Sequence, residues 1–206
     1  MTNQKYEITD IAHEKYPFLH RIRALRDIGS EVKTGDLGGF VAGEWNLSYE
    51  DGDSWIFDDA IAANVAFVYE GACLRDQAIA CGEAHICKGA VLSGHARAED
   101  HAHIERAVVS GSAQVSGTGT IFSTKSGKGP ILSGNCYVLG HISGNVRVTG
   151  DAVIFGDERI IHSGIDTIVI NESGRHIERS PDRDILRSGT PWPVENKRGR
   201  KRGQSR

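Results

Sequence analysis

The stretch that decides the fold runs from Ala60 to Ile104 and reads AIAANV AFVYEG ACLRDQ AIACGE AHICKG AVLSGH ARAEDH AHI. An alanine opens every hexad, and a second small or aliphatic residue follows two positions later. A period of six fits neither an α-helix, which has about 3.6 residues per turn, nor a long plain strand. It is typical of a β-helix, in which each hexad supplies a short strand and a corner.

Three successive hexads make one coil of 18 residues, and this stacking sorts the inward side chains into three columns of matched size. Matched columns are what dense packing requires between coils about 4.8 Å apart. A deletion near Ala107 and an insertion between Phe122 and Lys128 keep the later residues in register. The predicted columns are Val68, Ile86, Ile104 and Ile121; Leu74, Leu92, Val109 and Leu132; and Ala62, Ala80, Ala98 and Val115. The sequence therefore predicts an all-β parallel β-helix of five or six triangular coils.

The 206 residues divide into four segments around this repeat. We predict an N-terminal capping segment with an irregular first coil over 1–53, the β-helix over 54–156, closing strands and a short helix over 157–193, and a basic tail over 194–206. A cap is expected because an open β-helix end exposes unpaired backbone and core. Ser180 as N-cap and Pro181 at the first helical position indicate the short helix, which we expect to end near Arg187.

Charge is distributed unevenly along the chain. The part before Val194 carries 18 bases and 26 acids, whereas six bases and one acid follow. The tail Lys197–Arg206 could contact nucleic-acid phosphates, or it could be a solubilising terminus or an extension from a vector. The acidic body argues against nonspecific nucleic-acid binding by the coils.

The sequence also bounds the location of the protein. No apolar run approaches the roughly 20 residues of a membrane helix, and the N-terminus lacks the apolar core of a signal peptide. The four cysteines form no CxxC pair, which favours free thiols in a reducing compartment. We therefore expect a cytoplasmic protein with no membrane partner.

The hexads of residues 54–154 resemble those of hexapeptide-repeat proteins, best known as acyltransferases. The segments LHRIRALRDIG (19–29) and GDLGGFV (35–41), followed by Asn46-Leu47-Ser48 and Trp55, are similar to those of a narrower group from bacteria and their phages that often carries a transferase label. The resemblance implies a left-handed coil and, for a phage-encoded protein, a location in the host cytoplasm.

Two functions are compatible with this resemblance. One is a non-catalytic scaffold that binds a macromolecule through its outward faces, such as a phage or mobile-element inhibitor of a host defence system. The other is a coenzyme-A-dependent acyltransferase that works at subunit boundaries. We expect the scaffold, because building the coil explains every residue of the alanine ladder. The scaffold needs no cofactor, and acetyl-coenzyme A enters only with the acyltransferase.

One outward column is apolar throughout. An apolar stripe of this kind, about 19 Å long, marks an interface or lies beneath another part of the chain. It could join two copies of the chain, be covered by the terminal segments, or bind a different protein. The column consists of Trp55, Cys73, Val91, Val108 and Ile131.

A second outward column brings histidines together on adjacent coils. We expect Glu83, His85, His101 and His103 to form one cluster. Imidazole and carboxylate groups are suitable zinc ligands, whereas a solvated polar edge is the alternative.

No residue can be assigned as catalytic from the sequence. An acyltransferase needs a general-base histidine, and the candidates are His95, His103, His141 and His162. The resemblance implies that the inserted loop with Lys125 and Lys128 helps to shape such a site, while a solvated loop is the alternative. The loop lacks the GxxxxGK[ST] spacing of a nucleotide site.

Overall fold

A computed structural model describes residues 3–50, 53–124 and 129–181. These residues form a parallel β-solenoid of about seven turns, with about 18 residues in each coil. Three sheets make its three sides, which we call the first, second and third faces. The helical structure of the described residues is a 3₁₀ turn at Glu44–Asn46, and none of their helices is long and apolar enough to cross a membrane.

The first face begins with an antiparallel hairpin and continues with parallel strands. Its strands, in spatial order, are β1 (Tyr6–Ala12), β2 (His20–Ala24), β3 (Leu37–Val41), β5 (Ile61–Ala62), β8 (Ile79–Ala80), β11 (Arg97–Ala98), β14 (Gln114–Val115), β17 (Tyr137–Val138) and β20 (Val153–Ile154).

The other two faces alternate with the first along the chain. The second face contains β6 (Phe67–Val68), β9 (His85–Cys87), β12 (His103–Glu105), β15 (Thr120–Phe122), β18 (His141–Gly144) and β21 (Arg159–His162). The third face contains β4 (Trp55–Ile56), β7 (Cys73–Leu74), β10 (Val91–Leu92), β13 (Val108–Val109), β16 (Ile131–Leu132), β19 (Val146–Val148), β22 (Thr167–Asn171) and the antiparallel β23 (Gly174–Glu178).

The three predicted inward columns are confirmed. Ile86 pairs with Ile104, Leu74 with Leu92, and Ala80 with Ala98. All twelve side chains of the columns are fully buried. Val109 pairs with Leu92 below and Leu132 above, so the predicted deletion and insertion are both in the right place.

The corners explain why alanine recurs every six residues. The N–H of Ala60 donates to the carbonyl of Phe57 at 3.0 Å, and the N–H of Ala66 donates to the carbonyl of Ala63 at 3.1 Å. Each alanine thus closes a tight turn with its methyl group in the core. Gly82 shows the second constraint, because its φ is +69° and a Cβ there would lie 2.8 Å from the backbone of the next coil.

The solenoid is longer than the five or six coils predicted. β3 pairs in parallel with β5, although it lies in the predicted capping segment. β21 and β22 also continue the parallel stack beyond residue 156. Backbone pairing needs only an apolar residue at each inward position, so coils form where the hexad spacing is absent. The predicted short helix lies almost entirely outside the described residues.

The N-terminal hairpin covers the start of the first face. Residues 13–19, which we call the N-terminal arch, join β1 to β2, and Leu19 at its end is buried against Phe40, Ile61 and Ala63. The Arg21 guanidinium lies over the Phe40 ring at 4.3 Å. The arch is therefore fixed at its Leu19 end, and its other residues lie over the first face.

Candidate functional site

The apolar stripe of the third face begins one coil later than predicted, at Cys73 instead of Trp55. Trp55 pairs with Cys73 as expected, but it is only 1% exposed and its ring meets the edge of Tyr6 at 6.3 Å. The stripe at the surface therefore consists of Cys73, Val91, Val108 and Ile131, of which Val108 is 42% and Ile131 39% exposed. Trp55 instead holds the N-terminal segment.

An ion pair ends the stripe beyond Ile131. The residue that pairs with Ile131 is Arg147, whose guanidinium bonds the Glu178 carboxylate of β23 at 2.8 Å. The exposed aliphatic surface thus spans four coils and is bounded by Trp55 on one side and by this ion pair on the other.

The predicted zinc residues of the second face form two separate pairs. His101 Nδ1 lies 3.2 Å from a Glu83 carboxylate oxygen, and both side chains are largely exposed. The His85 and His103 rings are stacked with their centroids 6.2 Å apart. A zinc ion held by all four residues stays a prediction.

A different group of ligating atoms lies closer together on the same face. Cys87, His103 and Glu105 place one sulphur, nitrogen or oxygen atom each within 4.8 Å of one another. Cys87 and Glu105 are register partners on β9 and β12, and His103 precedes Glu105 by two residues on the same side of the strand. The 18-residue separation of Cys87 and Glu105 could have revealed this group. We missed it because we treated only the middle residue of each strand as outward.

Burial and neighbouring charges set the protonation of this group. Burial raises the pKa of the Cys87 thiol, which also lies within hydrogen-bonding reach of the Tyr69 hydroxyl. Burial and the nearby His85 lower the pKa of His103. The Lys88 ammonium donates to Glu105 at 2.8 Å, and this hydrogen bond raises the pKa of Lys88. The group therefore combines a neutral thiol, a neutral imidazole and a paired carboxylate.

A large hollow lies on the first face beneath the N-terminal arch. This first-face groove has a volume of about 880 Å³. Ile61 and Ile79 form an apolar floor with Phe40, and Tyr16 of the arch lies on one side. Its other edge is a ladder of corner residues on successive coils, consisting of Asp59, Gln77, His95, Ser112 and Asn135.

Both arginines of the first-face groove are paired with carboxylates. Arg21 bonds the Asp59 carboxylate at 2.5 Å. Arg97 Nε donates to Glu99 at 2.6 Å, and the Gln114 amide donates to the other oxygen of Glu99 at 2.7 Å. The remaining charged residues of its lining, Glu14 and Lys15, are of opposite sign, so the groove offers polar hydrogen-bonding groups beside an apolar floor without a strong net charge.

Two further hollows adjoin these surfaces. A smaller apolar hollow of about 180 Å³ lies on the other side of Tyr16 and is lined by Phe18, Leu19 and Cys81. A hollow of about 540 Å³ on the second face is rich in aromatic groups, among them Trp45, Tyr49, Phe67 and His85.

The four histidines considered for an acyltransferase are dispersed. His95 lines the first-face groove, and His103 belongs to the group formed with Cys87 and Glu105. The His141 ring meets the Phe122 ring at 4.8 Å, and His162 Nε2 lies 2.9 Å from the Asp166 carbonyl oxygen. Lys125, Lys128 and the tail Lys197–Arg206 lie outside the described residues.

Comparison with protein-family models and with curated proteins gave no match.

Proposed function

We propose that this protein is a non-catalytic scaffold that binds a protein partner in the first-face groove. The observation that carries the proposal is the form of the groove, which combines a rigid apolar floor with a polar ladder and an overhanging aromatic arch. These are the elements that recur at specific protein interfaces, where aromatic anchors stand beside adaptable hydrogen-bonding groups.

The length of the groove favours an extended peptide segment. Its polar ladder runs from Asp59 to Asn135 over five successive coils. At about 4.8 Å per coil this distance is roughly 19 Å, which accommodates about six residues of extended chain. Gln77, Ser112 and Asn135 offer amide and hydroxyl groups that match the N–H and C=O groups of such a segment.

The arch supplies the residues that can anchor the partner. Tyr16 is 37% and Phe18 61% exposed, although both are large apolar side chains. They stand beside the small hollow that also contains Leu19 and Cys81. Exposed aromatic groups next to a preformed hollow are frequent binding hot spots.

The charge of the groove favours a protein over a nucleic acid. Arg21 and Arg97 are each paired with a carboxylate, so the floor carries no run of free cations. Binding to phosphates depends on such cations. If the resemblance to the phage-associated group of hexapeptide-repeat proteins holds, a host-defence protein is the partner to test first.

The test blocks the groove without disturbing the core. Gln77 is an exposed corner residue of the ladder, so Gln77→Trp fills the groove from its edge. Thr118→Trp, at an exposed corner away from the groove, is the matched control. We expect affinity capture from the native host to recover the same protein with wild type and with Thr118→Trp, but not with Gln77→Trp. Equal recovery with both variants would contradict the proposal.

The acyltransferase is the second candidate, and the position of His95 favours it. His95 is the one of the four histidines that lines the first-face groove, where it stands in the ladder between Gln77 and Ser112. A general base at this position could face a bound acceptor. A thermal shift with millimolar acetyl-coenzyme A that is lost in His95→Ala would support this function, and the absence of any shift would count against it.

A further inference from the structure

We propose that Cys87, His103 and Glu105 bind one zinc ion, or a similar divalent transition metal, on the second face. This set differs from the four residues that the sequence predicted, with which it shares only His103. It also lies on a different face from the groove of the proposed function.

The backbone brings the three ligands together without a loop. Two rows of outward side chains lie one above the other, with His85 and Cys87 on β9 directly below His103 and Glu105 on β12. The Cys87 sulphur lies 3.9 Å from His103 Nε2, and this nitrogen lies 4.0 Å from a Glu105 carboxylate oxygen. The two strands are among the three-residue strands of the second face, so the third residue of each is held by pairing.

These separations are close to what a metal requires. Around a tetrahedral zinc ion, bonds of about 2.3 Å to sulphur and 2.0–2.1 Å to nitrogen and oxygen place sulphur and nitrogen about 3.6 Å apart, and nitrogen and oxygen about 3.3 Å apart. The observed sulphur–nitrogen distance of 3.9 Å is therefore slightly longer than a bound zinc ion requires, and the nitrogen–oxygen distance of 4.0 Å is longer by more than half an ångström. Metal binding would therefore draw the His103 and Glu105 side chains together by rotation about their side-chain bonds.

The ligand types and their surroundings suit zinc. A thiolate, an imidazole and a carboxylate form a mixed set of a kind that zinc accepts, and the fourth position would be open to water. Cys87 is only 1% exposed. Aromatic residues lie on either side of the Cys87–Glu105 pair, with Tyr69 beside the thiol and Phe122 as the register partner of Glu105. Such an apolar surround limits access of solvent to a bound metal.

Lys88 is the competitor that the metal must displace. Its ammonium occupies the Glu105 oxygen that faces His103, at 2.8 Å, while Arg106 lies 3.5 Å from the other oxygen. Lys88 is an exposed corner residue that can turn towards solvent. Removing the ammonium should therefore strengthen metal binding, whereas removing a ligand should weaken it.

The experiment titrates the full chain, prepared without a polyhistidine tag and stripped with a chelator, with Zn²⁺ by calorimetry and with Co²⁺ by absorption spectroscopy. We expect one equivalent of metal and a thiolate-to-cobalt absorption band. Cys87→Ser should abolish the band and weaken Zn²⁺ binding at least about tenfold. Cys81→Ser, a half-buried cysteine of the first face, is the matched control and should retain both.

Two further variants keep the test decisive if Cys87→Ser folds poorly. Glu105→Gln should weaken Zn²⁺ binding, and Lys88→Ala should strengthen it several-fold. No binding to the folded wild-type chain would overturn the proposal. Loss of binding in Glu83→Gln together with its retention in Cys87→Ser would also overturn it, because the metal would then lie at the Glu83–His101 pair.

Discussion

The second and third faces are built by the same coils, yet they present opposite chemistry. On the second face the outward column is aromatic and polar, and its strands are up to four residues long. On the third face the corresponding column is an aliphatic stripe carried by two-residue strands over the same coils. Their inward columns are equally apolar and equally buried. The period of six therefore specifies the coil, and the outward residues are free to differ between faces.

The largest effect is expected from the columns that the two faces share. Ile104→Ala below the second face and Leu92→Ala below the third should each lower the free energy of unfolding by about 2–5 kcal/mol, because each leaves a cavity in a packed column. Urea unfolding followed by circular dichroism measures the loss. The control Val108→Ala, at an exposed position, should cost less than about 1 kcal/mol. A small loss for either inward variant would contradict a continuous core.

The two corners that flank the second face should differ from each other. Gly82→Ala combines a φ of +69° with a Cβ 2.8 Å from the Asp100 backbone, so we expect a loss of about 2 kcal/mol or more. At Gly89 the φ is +74° but nothing lies within 4 Å of a new Cβ, so we expect Gly89→Ala to lower the free energy of unfolding by only about 1 kcal/mol. The same urea titration compares them. Equal losses would show that conformation alone, and not stacking of the coils, selects glycine at Gly82.

If two copies of the chain join through the aliphatic stripe, substitutions on the third face should change self-association and those beside the second face should not. We expect Val91→Asp to lower the molar mass measured by light scattering, because a buried carboxylate would disrupt contact between two stripes. His101→Asp, an exposed substitution on the corner before the second face, should leave the mass unchanged. A wild-type chain that is already a monomer would contradict an interface between copies.

The smallest effect concerns pH and belongs to the second face. Burial, with a contribution from Arg159, lowers the pKa of His141 below its usual value of about 6.5. The folded state then binds fewer protons than the unfolded chain, so this contribution to stability is present above pH 6.5 and is lost as the pH falls towards the lowered pKa. The urea midpoint of His141→Gln should therefore fall less between pH 7.5 and pH 5.5 than that of wild type. Val91→Ala should retain the wild-type dependence, and an unchanged dependence in His141→Gln would contradict the assignment.

The sequence was sufficient to predict the coil and its inward columns, but not the packing of the terminal segments around it. Ile86 and Ile104 were placed correctly because dense packing allows one size class in a stacked column. Trp55 was misplaced at the surface because the hexad period carries no information on the antiparallel hairpin whose Tyr6 covers it. β21 and β22 were missed as coils because strand pairing persists where the spacing changes.

The candidate sites depend on tertiary contacts that the six-residue period does not predict. The pairing of Glu83 with His101 followed from the 18-residue coil, and the structure brings these two side chains to 3.2 Å. The first-face groove could not be inferred, because it depends on how the N-terminal arch stands above β5 and β8. The group of Cys87, His103 and Glu105 could be predicted only if the third residue of β9 and of β12 faces outward. That orientation depends on the length of the two strands.

The most direct test of the central claim is photo-crosslinking in the native host. A photoreactive phenylalanine analogue in place of Tyr16, an aromatic residue that already lines the first-face groove, would probe the groove, and the same analogue in place of Thr118 would probe a corner outside it. We expect one protein adduct of defined mass from position 16 and none from position 118. Adducts from position 118 without any from position 16 would contradict a partner-binding site in the groove.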